Sequence, residues 1–578
     1  MAPVVSAEAA SPPGGGSRRE LPGSARVSAA RELSAARGRG TASRSPVLAR
    51  HGMVCAAQPL AVQAGLGILE RGGSAADAAI AVNACLGLME PTANGLGGDL
   101  FAILWDQAHQ VVGLNGSGRA PLALTADRVV PLADGTIPLH SPFAWTVPGC
   151  ADAWFELHTR YGRLPMKELL APAIRYAEEG FPLSPVIAAD WERSARVFHD
   201  KPGFREVFMP GGRAPREGEI FKNPALARTL RMLEDEGRSA FSEGAIAEAI
   251  VRFSRANGGF LAMEDFARHR ATWDAPISTS YRGYEVWELP PNGQGLAALE
   301  MLNILETFDL EAMGRGSADF WHVMVEAKKL AFADRARYYA DPEFARTPVA
   351  ALLSKDYARR RAASINMARA AEHDAPGDPE TLRRGDTTFL CTADESGMMV
   401  AFIQSNYTGF GSGYVVPDLG FGIQNRGALF ALKEGHPNRL EPGKRPFHTI
   451  IPAFLTRAGV PLMAFGVMGG DMQPQGHVQI LVNLLDLGMN LQEAGDAPRY
   501  HHTGSSEPTG TVMTDGGVLH LEEGLPMDVV AELRRRGHTI ESEPVGAYGG
   551  YQAIWREPDT GVYIGATEKR KDGCALGY

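Results

Sequence analysis

The stretch Gly385-Asp386-Thr387-Thr388-Phe389 lies where the chain changes character, and its reading decides the fold. Before it, Arg369–Asp386 (RAAEHDAPGDPETLRRGD) is polar, charged and broken by Pro and Gly, which predicts an exposed loop. After it, Thr387–Ala393 is rich in β-branched and apolar residues, and Asp394-Glu395-Ser396-Gly397 separates it from a similar run, Met398–Ser405. Two such runs about a short Gly-containing turn predict a β-hairpin. The chemistry of the stretch is equally specific. If the Asp386–Thr387 bond were cut, Thr387 would carry a hydroxyl nucleophile and a free α-amine side by side. An α-amine titrates near 8 when unperturbed, so it serves as a base without any histidine. By itself, however, a Thr-Thr pair opening a strand is ordinary β-propensity.

Downstream, strands are predicted at Ile450–Leu455, Met463–Val467, Gln552–Trp555 and Val562–Ala566. Helices fit Val478–Leu487 and Met527–Arg536, the second closed by Gly537. Upstream, folded sequence is expected from about His51. Pro59 opens a helix whose Ala61, Gly65, Ile68 and Leu69 share one face, and Gly72-Gly73 stops it. Ser74-Ala75-Ala76-Asp77 reads as a capping box leading into an apolar helix through Leu88. A turn-rich loop, Glu90 to Asp99, precedes the strand-like Leu100–Trp105. From about Pro148 to Asp356 the pattern is mainly helical, as in Leu164–Glu179, Phe241–Ala256 and Phe320–Tyr338. Strands mixed with segregated helices predict an α+β fold of layered sheets covered by helices.

Composition narrows the function. Of 578 residues, 44% are hydrophobic and 21% charged, enough to bury large cores, which excludes a wholly disordered chain. The net charge of −10 lacks the basic footprint of a nucleic-acid binder. Five scattered cysteines form neither a zinc pattern nor a disulfide framework, which favours a reducing setting. No apolar run reaches the roughly 18 residues of a membrane span. Residues 1–50 are rich in Ala, Ser, Gly, Pro and Arg and lack the apolar core of a secretory signal, so they read as a disordered tail. A transit peptide stays open, and a cytoplasmic location is the simpler expectation. No GxxxxGK[ST] loop exists, since Gly466–Gly470 lacks the following Lys. There is no HExxH, and the adjacent His501-His502 are poorly placed for one metal. Neither a cofactor nor a metal is expected.

Other blocks give Thr387 its weight. His51-Gly52-Met53-Val54, Gly72–Ala79, Glu90-Pro91 through Gly97-Gly98, and Val147-Pro148-Gly149 resemble the γ-glutamyltransferase family. So do Gly385–Thr388, Gly411-Ser412-Gly413, Gly443-Lys444-Arg445-Pro446, Gly469-Gly470, Asp496-Ala497-Pro498-Arg499 and Arg570-Lys571-Asp572-Gly573. They occur in the family's order from about residue 50 to Tyr578. The resemblance implies an N-terminal-nucleophile hydrolase with a four-layer αββα sandwich. It implies a proenzyme that cuts itself between Asp386 and Thr387 into a large subunit, residues 51–386, and a small subunit, residues 387–578. Thr387 would be the nucleophile, Gly469 and Gly470 the oxyanion hole, and Ser405 a hydroxyl that hydrogen-bonds the nucleophile. Arg119 would grip a substrate carboxylate. The implied partners are a small amide substrate, water or an amine acceptor, and the two subunits of one precursor. A homodimer of processed heterodimers is an open assembly.

Departures from the family's pattern cluster around substrate binding. Tyr407 stands where γ-glutamyl enzymes carry Asn. Asn425-Arg426-Gly427-Ala428-Leu429-Phe430 replaces a segment ending in paired carboxylates and Phe, so Ala428 and Leu429 stand for the acids and Arg426 adds a cation. His448-Thr449 replaces paired serines. Arg119, Arg426, Tyr407, His448 and Thr449 are therefore the substrate-binding candidates. This pattern resembles the branch of oxamate amidohydrolase and cephalosporin acylase more than the glutathione-degrading members. The expected function is hydrolysis, or acyl transfer, of a γ-glutamyl or dicarboxylic monoamide through a Thr acyl-enzyme. A strict γ-glutamyl transpeptidase or glutathione hydrolase is the alternative within the class, and side-by-side γ-glutamyl and glutaryl anilides discriminate it. A catalytically silent binding relative is the alternative outside it, and the intact Thr387 with Gly469-Gly470 argues against silence.

Overall fold

The computed structural model describes residues 42–373 and 386–578. Fourteen strands build two large sheets. In chain order they are β1 (Val47–Ala49), β2 (Met53–Ala56), β3 (Asp99–Trp105), β4 (Val111–Gly116), β5 (Thr272–Asp274), β6 (Ile277–Tyr281) and β7 (Tyr284–Glu288). They continue as β8 (Asp386–Ala393), β9 (Met399–Tyr407), β10 (Ala453–Arg457), β11 (Val460–Val467), β12 (Tyr551–Arg556), β13 (Tyr563–Thr567) and β14 (Cys574–Gly577). One seven-stranded sheet runs β1-β13-β12-β11-β10-β7-β6, the other β14-β2-β8-β9-β3-β4-β5. Every pairing within them is antiparallel.

Three apolar cores separate four layers. Between the sheets lie Phe101, Ile103, Phe389, Cys391, Ile403, Phe454, Ala464 and Ile554. The outer face of the β8 sheet packs on helices α1 (Pro59–Glu70) and α2 (Ala75–Met89) through residues such as Leu390, Val400 and Phe402. The other sheet is covered by α3 (Gly295–Leu305), α4 (Ala318–Tyr338) and α5 (Met472–Leu485). Along β8 and β9, Phe389, Cys391, Met399, Ala401 and Ile403 face the sheet interface, while Leu390, Val400 and Phe402 face the helices. Period-2 alternation with both faces buried explains why these strands read as near-continuous apolar runs. The result is the expected αββα sandwich.

Local sequence signals explain the elements nearest the site. The capping box is complete: Asp77 N donates to Ser74 Oγ at 3.0 Å, and Ser74 N donates to the Asp77 carboxylate at 2.9 Å. The hairpin β8–β9 turns at the expected Asp394–Gly397. Helix α5 begins at Met472, six residues before the expected Val478. Gly469 and Gly470 both adopt positive φ and turn the chain directly into it, and Pro474 is tolerated in a first turn where its missing N–H has no partner to lose.

Two expectations change. Folded sequence starts before His51, because β1 lies within the stretch read as a tail and pairs with β13, Val47 opposite Gly565. Residues 1–41 and most of the expected loop, 374–385, lie outside the described residues. Within the region read as mainly helical, Thr272–Glu288 forms β5, β6 and β7, whose β-branched and aromatic content meets at a tight Arg282-Gly283 turn of positive φ. The C-terminal β14 completes an edge beside β2.

Candidate active site

Thr387 sits at an irregularity in the β8–β9 ladder. Asp386 pairs with Tyr407 and Thr388 with Gln404, so Ser405 and Asn406 together face the single Thr387. Such a bulge breaks regular pairing and re-aims a side chain. Thr387 is buried, and its Oγ1 lies 3.4 Å from Ser405 Oγ and accepts from Gln473 Nε2 at 3.4 Å. Ser405 Oγ also accepts from the Tyr407 N–H at 2.8 Å. Tyr407 has φ +81, a left-handed conformation that Asn tolerates better than Tyr and that costs of order 1–3 kcal/mol. Thr388 Oγ1 donates to the buried Glu90 at 2.7 Å and anchors the mouth of the strand. Burial raises the Glu90 pKa, with this hydrogen bond opposing.

The Gly469-Gly470 turn is linked to Thr387 through α5. Gln473, on the first turn of α5, uses its Nε2 on Thr387 while its Oε1 accepts from Ile451 N at 2.9 Å. Gly469 has φ +120 and Gly470 φ +59, and a Cβ on Gly469 would meet Gly549 Cα and Met472 Cβ at 3.3 Å. Glycine is needed for the backbone conformation and leaves its amides open to approach. Gln294 Nε2 donates to Gly470 O at 2.9 Å and to Thr449 O at 2.7 Å. Gln294 Oε1 accepts in turn from Arg335, which ion-pairs with Asp471 and Glu507, each at 2.6 Å. Sequence reasoning missed Gln473, Gln294 and Arg335. Gln473 stands three residues past the glycine pair, but nothing in its type or spacing signals a hydrogen bond to Thr387.

A second group adjoins this one. Asp99, opposite Ser405 in the β9–β3 ladder, accepts from His448 Nε2 at 2.9 Å, Gly118 N at 2.8 Å and Gln424 Nε2 at 2.7 Å. His448 Nδ1 accepts from Ile450 N, which places the ring proton on Nε2, toward Asp99. Burial, helped by the Arg426 charge, pushes the His448 pKa down to about 4 against the opposing pull of Asp99. Arg426 is fully buried on the short turn Arg426–Leu429, donates from Nη1 to Thr449 Oγ1 at 2.6 Å, and places Cζ 4.6 Å from the centre of the Tyr407 ring. Burial lowers its pKa to about 10.

The structure thus brings Thr387, Ser405, Tyr407, Arg426, His448 and Thr449 into one contact chain, with Gly470 joined to it through Gln294. Arg119 has other commitments. Its Nη2 bonds Glu343 at 2.5 Å, and its Nη1 bonds Gly443 O at 3.1 Å and lies 3.6 Å from Asp341. Leu429 is buried in the apolar core beside Tyr407 and brings no charge. Of two other acids, Asp418 is exposed and Asp471 is held by Arg335. Among the described residues, the group with metal-capable spacing is His322, Glu326 and His538, built from α4 and the segment before Thr539. Its members already have partners, with His322 Nδ1 2.8 Å from His538 Nε2 and Lys329 on Glu326 at 2.9 Å. His501 pairs with Glu543 and His502 with Lys328, so the adjacent histidines serve separate partners.

The structure thus sets a buried threonine hydroxyl at the mouth of a strand of an αββα sandwich, in contact with the helix that follows a glycine turn. The sequence model of the family described as gamma-glutamyltranspeptidase matches residues 61–578. The chain belongs to the gamma-glutamyltranspeptidase family. It is 39% identical over 533 residues to the glutathione hydrolase-like YwrD proenzyme of Bacillus subtilis, covering 91% of this chain and 98% of that one. It is 36% identical over 542 residues to the oxamate amidohydrolase proenzyme of Klebsiella pneumoniae, covering 91% and 98%. The crystal structure of cephalosporin acylase from Bacillus halodurans is similar with a TM-score of 0.85 at 43% identity, covering 97% of this chain and 99% of that one. As a gamma-glutamyltranspeptidase-family member, the chain is an enzyme of amide hydrolysis or acyl transfer. No helix among the described residues is long and apolar enough to cross a membrane.

Proposed function

We propose that the chain is a self-cleaving amidohydrolase or acyltransferase in which Thr387 is both the agent of cleavage and the catalytic nucleophile. The observation that carries this reading is the position of Thr387: a buried hydroxyl at a ladder irregularity, within reach of Ser405 and Gln473, one helix turn from the Gly469-Gly470 amides. In the precursor, Thr387 Oγ attacks the carbonyl carbon of Asp386, the peptide C–N bond breaks, and the amide nitrogen takes the proton to become the free α-amine. Water then opens the ester and leaves Asp386 as a carboxylate. In the processed enzyme the α-amine takes the hydroxyl proton as Oγ attacks a substrate amide. Negative charge develops on the carbonyl oxygen, where the Gly469 and Gly470 N–H groups are suited to stabilise it. The α-ammonium returns the proton to the leaving amine. Water releases the acyl group as an acid, or an amine acceptor takes it.

The other residues support these steps. Ser405 holds the conformation of Tyr407 through its N–H, and both Ser405 and Gln473 contact the Thr387 hydroxyl. Cleavage after residue 386 of the 578-residue, 62.0 kDa chain leaves 192 residues beyond it, and division in proportion gives fragments of about 41 and 21 kDa. A denaturing gel of purified protein should show both. Thr387→Ala should stay a single 62.0 kDa chain, because a methyl group cannot attack the Asp386 carbonyl. Cleavage of that variant at the same bond would remove Thr387 from the mechanism.

A further inference from the structure

We infer that Arg426 is the receptor for a carboxylate on the acyl part of the substrate, and that the enzyme therefore acts on amides of dicarboxylic acids that carry no α-ammonium. This inference rests on the reading of Thr387 just given and adds the substrate class. Its basis is a buried guanidinium that, among the described residues, has no carboxylate hydrogen-bonded to it. Arg335, Arg426 and Arg499 all have fully buried side chains. Arg335 holds two carboxylates, and Arg499 donates to the carbonyls of Tyr548 and Gly495. Arg426 holds a single hydroxyl, that of Thr449, and its Nε and Nη2 have no hydrogen-bond partner. A buried charge is costly unless paired, so its position implies an anion supplied from outside the chain.

The geometry of the vacant groups specifies that anion. Nε and Nη2 form one edge of the planar guanidinium, and their two parallel N–H bonds match the two oxygens of a carboxylate. This edge belongs to a guanidinium stacked on Tyr407, whose ladder partner is Asp386, the residue that leaves the nucleophile's side when the precursor is cut. From the other direction, Thr449 and Gln294 connect the same guanidinium to Gly470. In the inferred complex a short acyl chain runs from Thr387 to Arg426, with its amide carbonyl at the hydroxyl and its terminal carboxylate on the unpartnered edge.

Among the described residues, nothing comparable awaits an ammonium. Asp99 already accepts from three donors, Asp471 is held by Arg335, and Leu429 is apolar. A γ-glutamyl group would strand its ammonium there, which disfavours it by roughly ten- to a hundredfold against the glutaryl analogue. Arg119 does not compete for the carboxylate, because Glu343 already holds it.

The test compares three p-nitroanilides on processed protein: glutaryl, its carboxylate-free analogue valeryl, and γ-glutamyl. Unmodified enzyme should favour glutaryl over both others by about tenfold or more in kcat/KM, since a charge-assisted bidentate pair is being lost in each comparison or offset by a stranded ammonium. Arg426→Met should abolish the glutaryl-over-valeryl ratio, Arg426→Lys should restore part of it, and Arg119→Gln should leave it in place. Survival of the ratio in Arg426→Met, or its loss in Arg119→Gln, overturns the assignment. If Arg426→Met does not fold, the unmodified protein decides: glutarate should raise its melting temperature more than valerate at equal concentration, and equal effects overturn the assignment. Absence of processing and of turnover on every anilide refutes the Thr387 reading instead, and the glutarate comparison still judges Arg426.

Discussion

Replacing Ser405 by Ala tests how the nucleophile is held. Its hydroxyl accepts the Tyr407 N–H at 2.8 Å and faces Thr387 Oγ1 at 3.4 Å, all within a buried site. The longer contact is weak, so most of the loss should come from Tyr407. Removing the acceptor takes this bond from a buried N–H, a loss of about 1–3 kcal/mol. Tyr407 is also held at φ +81, a conformation costing a similar amount, and without its bond to Ser405 it should relax toward ordinary strand geometry. That relaxation moves the ladder position opposite Asp386 and the ring beneath Arg426. At about 1.4 kcal/mol per tenfold in rate, the loss corresponds to roughly fivefold to a hundredfold slower self-cleavage. Band densitometry of freshly made protein measures that rate, and kcat and KM follow on the processed fraction. Because the disturbance passes through Tyr407 to Arg426, KM for a carboxylate-bearing amide should rise as kcat falls. Ser405→Thr keeps the hydroxyl on a β-branched side chain suited to a strand and should recover most of the rate. Ser405→Ala that cleaves and turns over like the unmodified enzyme would refute the reasoning.

Three other outcomes are expected. Activity of the processed enzyme should rise with pH through one ionisation near 8 or somewhat below, since the base is a neutral α-amine and nearby guanidinium charge favours that form; complete loss in chelator, restored by zinc, would contradict it. Arg335→Met should lower stability by about 3–5 kcal/mol in denaturant titration, because Asp471 and Glu507 lose their shared counter-charge, with the partial exposure of Asp471 favouring the lower end; a variant as stable as the parent would show that the pair is not what holds the Gly470 turn. Buried, neutral His448 refuses a proton that the unfolded chain binds below about 6.5, so it costs about 1.4 kcal/mol of stability per pH unit as pH falls from there to about 4. His448→Asn should flatten the fall of the urea midpoint over that range by one proton's worth, and an unchanged slope would mean that His448 keeps its proton in the folded state.

What the sequence shows and what it hides divide along the range of the interactions. The hairpin β8–β9, the capping box at Ser74 and the positive-φ turn at Gly469-Gly470 are local: neighbours in the chain decide them, and their residue types state them. The strands β5, β6 and β7 carried a legible signal too, in Tyr281-Arg282-Gly283-Tyr284, but it was outweighed by helical periodicity on either side. β1 has only three residues, and its strand character comes from pairing with β13 more than 500 positions away, which no window of sequence contains. The site follows the same rule. Thr387 is recognisable because its chemistry resides in one residue and the bond before it. Arg119 and Arg426 look alike in sequence, each a cation near expected substrate-binding positions. What separates them is which carboxylates the fold has already assigned. Glu343 reaches Arg119 across 224 residues, while Asp99, the acid whose charge is felt most strongly at Arg426, is taken up by His448, Gly118 and Gln424. A substitution at His448 therefore bears on specificity as well as on pH dependence: with that donor gone, Asp99 would have a free oxygen beside Arg426 and could occupy the edge meant for the substrate.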